Sequence, residues 1–555
     1  MTGQASRRRI ASVGFRPPTL RRLVGIQIVV ALAAFVAAAL SISMSTSLFA
    51  LVPLAVLPFV ALAGRSLYDW AVTSVRFTTG SVPSTGVTTE HTDADGNAFG
   101  VHLRDSFVSC VLELRPADGA VTLLGRAHAS TDATLDPTIL ARCLDQHDIS
   151  VAGIDVVSHG RRTASGSPAT DVYERLIGPL PAVAERTVWV TVTVDVRTNI
   201  EAVQSRGGGH RGAANTARIA TERVARALSS RGIRTTMLTR SQIHSVVSHL
   251  CRGVAVRDLT ENWRSAPLPG VVATGYGFDC RGLDGELLAD LWAVPSLSTT
   301  VSLRVTPGSA RERPNLSASC NIVTRTSAPI LDLPGIVSMN GRHRQSILTS
   351  LPIAVAAPGF DDPRRETTFE CAAALSIPTG GCGQLLGSDT SGNGVAARIH
   401  GPGLRTVLVA GELYLAQQLV FRAVATGARV VVRTDRPHAW GPMIDSVATP
   451  DRLRLDSGHH RAGAPLDLVV HDFSDALVDT PRPRADGATI LTLAEHPPRT
   501  PMRDPDVAIV QPGAAGDRIQ VRTSRHAIEV ALVTIAQETA FIGRPRTVRS
   551  PAGIH

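Results

Sequence analysis

Residues 406–435 read TVLVAGELYLAQQLVFRAVATGARVVVRTD. Residues 406–411 form an uninterrupted apolar run of buried-strand type. Residues 413–426 have the length and composition of a helix, and 428–433 (ARVVVR) make a second β-branched run that ends at Thr434-Asp435. Apolar strands alternating with helices belong to parallel sheets covered on both faces, so the stretch predicts a Rossmann-like βαβ unit. Further strands are expected at 466–471, 488–494, 507–511 and 518–523, then a helix over 524–539. Together they define a C-terminal Rossmann-like α/β domain, 376–543, with a mostly parallel sheet.

The same alternation extends upstream. Strands are expected at 107–114 and 151–158, with a helix around 137–146 between them. The period-two pattern of 186–195 (RTVWVTVTVD) predicts another strand. Residues 213–229 follow as a helix, with Ala220, Val224, Ala227 and Leu228 on one stripe and Arg218, Glu222 and Arg226 on the other. Gly232 ends it, and 233–238 resumes a strand. This makes 77–250 a first α/β domain. Strands at 271–278, 299–306 and 316–325, with a helix near 287–291, make 251–375 a second α/β region.

The amino-terminal end reads differently. From Arg22 to Arg65 no Asp, Glu, Lys, Arg or His intervenes. Two apolar runs, 23–42 and 48–64, are separated by Ser43-Met44-Ser45-Thr46-Ser47, and each approaches the ~20 residues that cross a bilayer core as a helix. The expectation is therefore a transmembrane hairpin within an Arg-rich segment, 1–76, that contacts the lipid bilayer. A signal peptide is disfavoured, because its apolar region is shorter and is not followed by a second one. Pro53 and Pro58 would loosen the second span and call for a neighbouring helix. Positive charge collects on cytoplasmic flanks, so both ends of the hairpin, the N-terminus and the bulk of the chain are expected on the cytoplasmic side of the inner membrane. Residues 544–555 read as a flexible tail carrying Arg544, Arg546 and Arg549.

Charge narrows the function classes. The net charge of the 555 residues is +9, and residues 1–76 hold eight arginines against one acid, Asp69. The remainder is close to neutral, which argues against a nucleic-acid partner. All 56 basic residues are arginine. Without lysine there is no P-loop GxxxxGK[ST], no protein-kinase strand lysine and no Schiff-base lysine for a pyridoxal cofactor. The seven cysteines, Cys110, Cys143, Cys251, Cys280, Cys320, Cys371 and Cys382, are odd in number and never in CxxC spacing, which suits free thiols in a reducing compartment.

Several short matches invite an enzymatic reading. Gly207-Gly-Gly-His-Arg-Gly212 matches GxGxxG but lies a dozen residues beyond Asp195, and it reads as a loop that could at most hold an anion with Arg206 and Arg211. Gly392-Asn-Gly-Val-Ala-Ala397 reads as a hairpin. In the 406–435 unit Asp435 stands where a ribose-binding acid would be, but only Gly411 represents the phosphate turn and Glu412 would repel a pyrophosphate. Asp93-Ala-Asp95 and Asp504-Pro-Asp506 match DxD and suit turns. Neither His459-His460 nor His244 with His249 makes a zinc motif. No catalytic residue, cofactor-binding residue or metal ligand is assigned, and no cofactor is expected.

Motifs spread along the chain are similar, in order and spacing, to EccE, a membrane component of the type VII (ESX) secretion systems of actinobacteria. They are Tyr68-Asp-Trp70 leading to Arg76-Phe77, Gly178-Pro-Leu-Pro181, Arg186-Thr-Val-Trp189, Arg206-Gly-Gly-Gly209, Gly380-Gly-Cys-Gly-Gln-Leu-Leu-Gly387, Arg422-Ala-Val-Ala-Thr-Gly-Ala428, and Arg433-Thr-Asp-Arg-Pro437 with Trp440. The resemblance implies a non-catalytic structural subunit of an inner-membrane export complex in a mycobacterial-type envelope. Its implied partners are EccB, EccD and EccC, the last supplying ATP hydrolysis. The alternative left by the residues is a membrane-tethered, nucleotide-sugar-dependent glycosyltransferase using Asp504 and Asp506 or the 406–435 unit.

Overall fold

A computed structural model describes residues 14–15, 20–41, 43, 45–46, 49, 51–52, 55, 60–62, 65–79 and 86–543. The last range has breaks at 117–118, 120, 165, 279–282, 309–313, 327–328, 330, 332, 354–364, 368–374, 457–464, 474–486, 497–503 and 513–515. Two large sheets organise it. The first runs, edge to edge, through Ala266–Leu268, Val271–Phe278, Asn315–Thr324, Ser298–Thr306, Ile149–Arg161, Glu185–Asp195, Phe107–Leu114, Ala98–Arg104 and Val87–Thr92. Neighbours on this path are antiparallel.

Both faces of this sheet are covered. Helix Gly209–Ser229 lays Ala220, Val224 and Leu228 against Leu112, Val190 and Val192, and helix Gly285–Ala293 adds Leu287, Leu291 and Trp292 to the same core. On the other face Val111, Val157 and Trp189 meet Ile243 of helix Arg240–Leu250 and Ile347 of helix His343–Thr349. Thr239 and Gln242 form a reciprocal capping box that starts helix Arg240–Leu250. Strand Glu185–Asp195 is therefore buried from Val188 to Asp195 despite its alternating pattern.

The second sheet is mixed. Leu453–Leu455, Val430–Thr434, Leu468–Asp472, Thr489–Ala494, Thr406–Ala410 and Val507–Val510 are parallel in that order. Arg518–Thr523, Ala527–Leu532, Gln384–Ser388, Gly394–Ala397, Val121–Leu124 and Ala129–Ser130 continue it antiparallel. The expectation of a mostly parallel, Rossmann-like sheet is thus corrected. The parallel strands fill only half of it, and two strands separate Thr406–Ala410 from Val430–Thr434, which a dinucleotide fold would pair. Helix Leu413–Thr426, buried from Tyr414 to Thr426, shares a core with Val172 and Tyr173 of helix Pro168–Ile177, Val407, Val430 and Ile542. The helix expected at 524–539 is instead strand Ala527–Leu532 followed by helix Ala536–Ile542. The Thr523 N–H to His526 carbonyl bond closes a tight hairpin, and Ile528, Val530 and Leu532 alternate with Ala527, Glu529 and Ala531.

The transmembrane hairpin is also corrected: among the described residues no helix is long and apolar enough to cross a membrane. Helix Leu20–Ala39 takes Arg21 and Arg22 into its first turn and stops before the expected end at Ile42. In the second expected span, Val60–Leu62 is extended and pairs with Gly14–Phe15 and Arg65–Ser66. Helix Leu67–Thr79 then joins this region to the body. Trp70 lies 5.9 Å from Trp263 and Phe77 meets the same ring edge-on at 5.4 Å. Gly341 (φ +71°) admits that ring, since a Cβ there would stand 2.7 Å from it.

Candidate functional site

The two sheets meet along a polar cleft enclosing about 230 Å³. One wall is the end of strand Phe107–Leu114 and the start of Glu185–Asp195. The other is the segment entering Gln384–Ser388, together with Arg398–Pro402 after strand Gly394–Ala397. Backbone bonds stitch the walls: Cys382 N–H donates to Val183 O at 2.8 Å and Gly383 N–H to Ala184 O at 3.1 Å. Gly381 is required there, because a Cβ would lie 2.2 Å from Ala184 O. Arg186-Thr-Val-Trp189 and the Gly380–Gly387 motif, far apart in sequence, are thus brought face to face.

The carboxylates of the cleft are engaged. Glu113 pairs with Arg115 at 3.0 Å and accepts from Trp189 Nε1 at 3.3 Å. Glu185 pairs with Arg161 at 2.5 Å, and Asp467 accepts the Arg429 N–H at 2.8 Å. Arg398 donates to Pro402 O at 2.9 Å. Arg186 stacks on Trp292, its guanidinium carbon 4.3 Å from the ring centroid, and burial pulls its pKa down to about 10. Burial likewise pushes the Cys382 thiol up to about 12 and lowers His400. A thiol held protonated is a poor nucleophile, so this arrangement suits binding better than covalent chemistry.

The motifs singled out in the sequence have structural roles. Gly207, Gly208 and Gly209 all take positive φ (105°, 63° and 52°) and turn helix Ile200–Gln204 into Gly209–Ser229, while a Cβ on Gly212 would stand 2.2 Å from Val203 O. Arg206 turns away to Ala202 O and to Asp148, which also takes Arg223 at 2.9 Å. Asp93 and Asp389 each accept the N–H groups two and four residues on, closing hairpins of the shared form Asp-x-x-Gly-Asn. Asp506 accepts from the N–H of Arg405 and Thr406 at the amino ends of the parallel strands, opposite the edge where such sheets bind ligands. His249 lies edge-on to His159 at 6.1 Å. His459 and His460, Cys280 and Cys371, and the tail arginines lie outside the described residues.

At the carboxyl ends of the parallel strands the chain fills the crevice itself. Asp472, buried, accepts from Thr434 Oγ1 (2.9 Å), Arg436 (3.0 and 2.7 Å) and Trp440 Nε1 (2.7 Å). This accounts for the Arg433–Pro437 motif and Trp440. Two buried arginines have roles that the sequence did not assign, although Arg422 opens one of the motifs quoted above. Arg422 pairs bidentately with Glu538 at 2.7 and 2.8 Å and donates to the carbonyls of Leu385, Leu386 and Val533. Arg162 binds Glu174 at 2.9 Å and the carbonyls of Leu180, Ala293 and Gly178. The one sequence signal for Arg422 is a charged residue on the otherwise apolar face of 413–426.

Residues 182–278, which carry part of one wall of the cleft and three strands of the first sheet's path, match the family model described as "Putative type VII ESX secretion system translocon, EccE". That segment is thus similar to EccE components of type VII ESX secretion systems. Over 96% of its length the chain is 24% identical to the ESX-2 secretion system protein EccE2 of Mycobacterium tuberculosis, covering 99% of that protein. It is 24% identical to the ESX-5 secretion system protein EccE5 of Mycobacterium marinum over 46% of this chain and 64% of that one. To the ESX-1 secretion system protein EccE1 of Mycolicibacterium smegmatis it is 29% identical over 25% of this chain and 30% of that one. Nothing in these matches points to a glycosyltransferase.

Proposed function

We propose that the protein is a non-catalytic, structural subunit of an ESX membrane complex, working beside EccB, EccC and EccD in protein export. The observation that carries this is the end-to-end similarity to an ESX-2 EccE2 protein. The polar groups agree with it: Asp472, the acid at the carboxyl ends of the parallel strands where an α/β enzyme would meet a ligand, is consumed by the fold's own donors, and Asp506 is tied to backbone N–H groups at the opposite edge. We place the α/β body on the cytoplasmic side, supported by the free thiols of Cys110, Cys143, Cys251, Cys320 and Cys382.

The test is extraction of the tagged protein from its native membranes in mild detergent, followed by native electrophoresis and blotting for EccB, EccC and EccD. Co-migration in one large species is expected. A monomer under conditions that keep the other three together overturns the reading.

A further inference from the structure

We infer that the pocket between helix Gly285–Ala293 and strand Ile149–Arg161 receives the C-terminal residue of a polypeptide, a threonine whose hydroxyl meets Ser158 and whose α-carboxylate meets Arg186. Strand register places these two groups. Ser158 stands opposite Val188 on one neighbouring strand and Val301 on the other, and Arg186 stands opposite Gly160. Alternation along the strands sends Val156, Ser158, Arg186 and Val188 to one face, the face that shares a core with Leu288 and Trp292 of the helix. Ser158 and Arg186 are therefore diagonal neighbours, with Cβ atoms about 7 Å apart, a span that one ligand residue bridges.

The pocket is small and mostly apolar. Val156, Val301 and Leu303 make its floor with Ser158, while Trp292 forms one wall and Ile377 the other. Gly160 leaves the space that Trp292 uses, since a Cβ there would stand 3.1 Å from the ring. The enclosed volume is about 60 Å³. That is roughly the liquid volume of two waters and well below the ~150 Å³ that admits benzene, so the room suits one small side chain and excludes an acyl chain. On the floor the Ser158 hydroxyl is 3% exposed and has no hydrogen-bond partner among the described residues. A buried hydroxyl without a partner is costly, and a ligand hydroxyl offers it both a donor and an acceptor. Threonine brings that hydroxyl together with a methyl group for the apolar floor.

Charge selects which end of the ligand enters. Arg186 is partly exposed, with its guanidinium carbon 4.3 Å from the Trp292 ring centroid. Among the described residues that line the pocket no Asp or Glu accompanies it. A carboxylate matches such a cation and accepts two parallel bonds from a guanidinium. The same lack of acids selects against a free amino acid, whose ammonium group would meet a cation and no counter-charge. At a chain terminus that nitrogen is a neutral peptide N–H, so the C-terminal residue of a polypeptide brings the negative charge alone.

The test uses the purified full-length protein in detergent, titrated calorimetrically and by tryptophan emission, with Trp292 as the nearby reporter. The probes are acetyl-Gly-Gly-Thr as the free acid, its C-terminal amide, the isosteric acetyl-Gly-Gly-Val acid, free threonine and octanoate. Saturable binding of the Thr acid is expected, with the amide and free threonine about tenfold weaker or more and the Val acid severalfold weaker. Ser158→Ala should bring the Thr and Val acids to equal affinity, and Arg186→Met should abolish the difference between acid and amide. If Arg186→Met does not fold, Arg186→Lys and Ser158→Ala carry the comparison, the lysine keeping part of the preference for the acid. The inference is overturned by no binding at millimolar peptide, by an amide as tight as the acid, or by a preference for Thr over Val that survives Ser158→Ala. Free threonine or octanoate binding as tightly as the peptide also overturns it. Because no other subunit takes part, the outcome is independent of the assembly reading.

Discussion

Replacing Arg422 by Met isolates the energetics of the most deeply buried charge in the second sheet. Arg422 and Glu538 are each about 1% exposed, and the pair is bidentate. Removing the guanidinium leaves the Glu538 carboxylate, among the described residues, with the Gln418 amide at 3.3 Å, and strips a donor from the carbonyls of Leu385, Leu386 and Val533. Breaking a buried pair from one side costs about 3–5 kcal/mol. That corresponds to roughly a hundred- to a few-thousand-fold loss of protection where exchange proceeds through opening of this region. Hydrogen exchange followed by mass spectrometry on peptides from helix Leu413–Thr426 reads it directly, and avoids assigning one unfolding free energy to a chain with two large sheets. The double variant Arg422→Met/Glu538→Leu removes both charges and should recover much of the protection, but not all, since the three carbonyls still lack their donor. A single-variant cost below about 1 kcal/mol, or a double variant as damaged as the sum of the two singles, would refute the reasoning.

Asp472→Ala should cost about 2–4 kcal/mol, because it leaves the buried Trp440 Nε1 and Arg436 without their acceptor; a change in near-ultraviolet dichroism and faster exchange in 434–440 would report it. Thr239→Ala removes the capping box of helix Arg240–Leu250, for an expected loss of about 1 kcal/mol, visible as fraying confined to its first turn. Burial, aided by His249 and nearby arginines, holds the His159 pKa down to about 3, so the unfolded chain takes up this proton first, near pH 6.5. Its contribution to stability is therefore complete above about pH 6.5 and falls progressively as pH drops toward 3. His159→Asn should flatten the dependence of melting temperature on pH across that window; an unchanged slope would assign it to other groups.

Where local chemistry suffices, the elements were legible in advance. Strands 107–114, 271–278 and 518–523 and helix 413–426 stand where periodicity puts them. The Asp93 and Asp389 hairpins and the glycine corner at 207–212 follow from side-chain-to-backbone bonds and positive φ, which are also local. The 524–539 segment failed because its alanines and glutamate suit a helix, whereas pairing with Arg518–Thr523 and with Gln384–Ser388 makes it a strand. The 48–64 run failed as a span because apolar character states that a segment avoids water without stating what covers it. Val60–Leu62 is paired in a small sheet instead.

By itself the sequence determined the class of residues available for chemistry, the elements whose pattern repeats within a few residues, and, through motifs scattered over its length, the resemblance to EccE. It could not determine strand direction or neighbour. A buried strand has the same composition whether its partner runs parallel or antiparallel, and that choice is made by contacts hundreds of residues apart, as when Val121–Leu124 joins Gly394–Ala397. Only the tertiary structure set Arg422 against Glu538. Folding there removes a charge from water and supplies a partner for it.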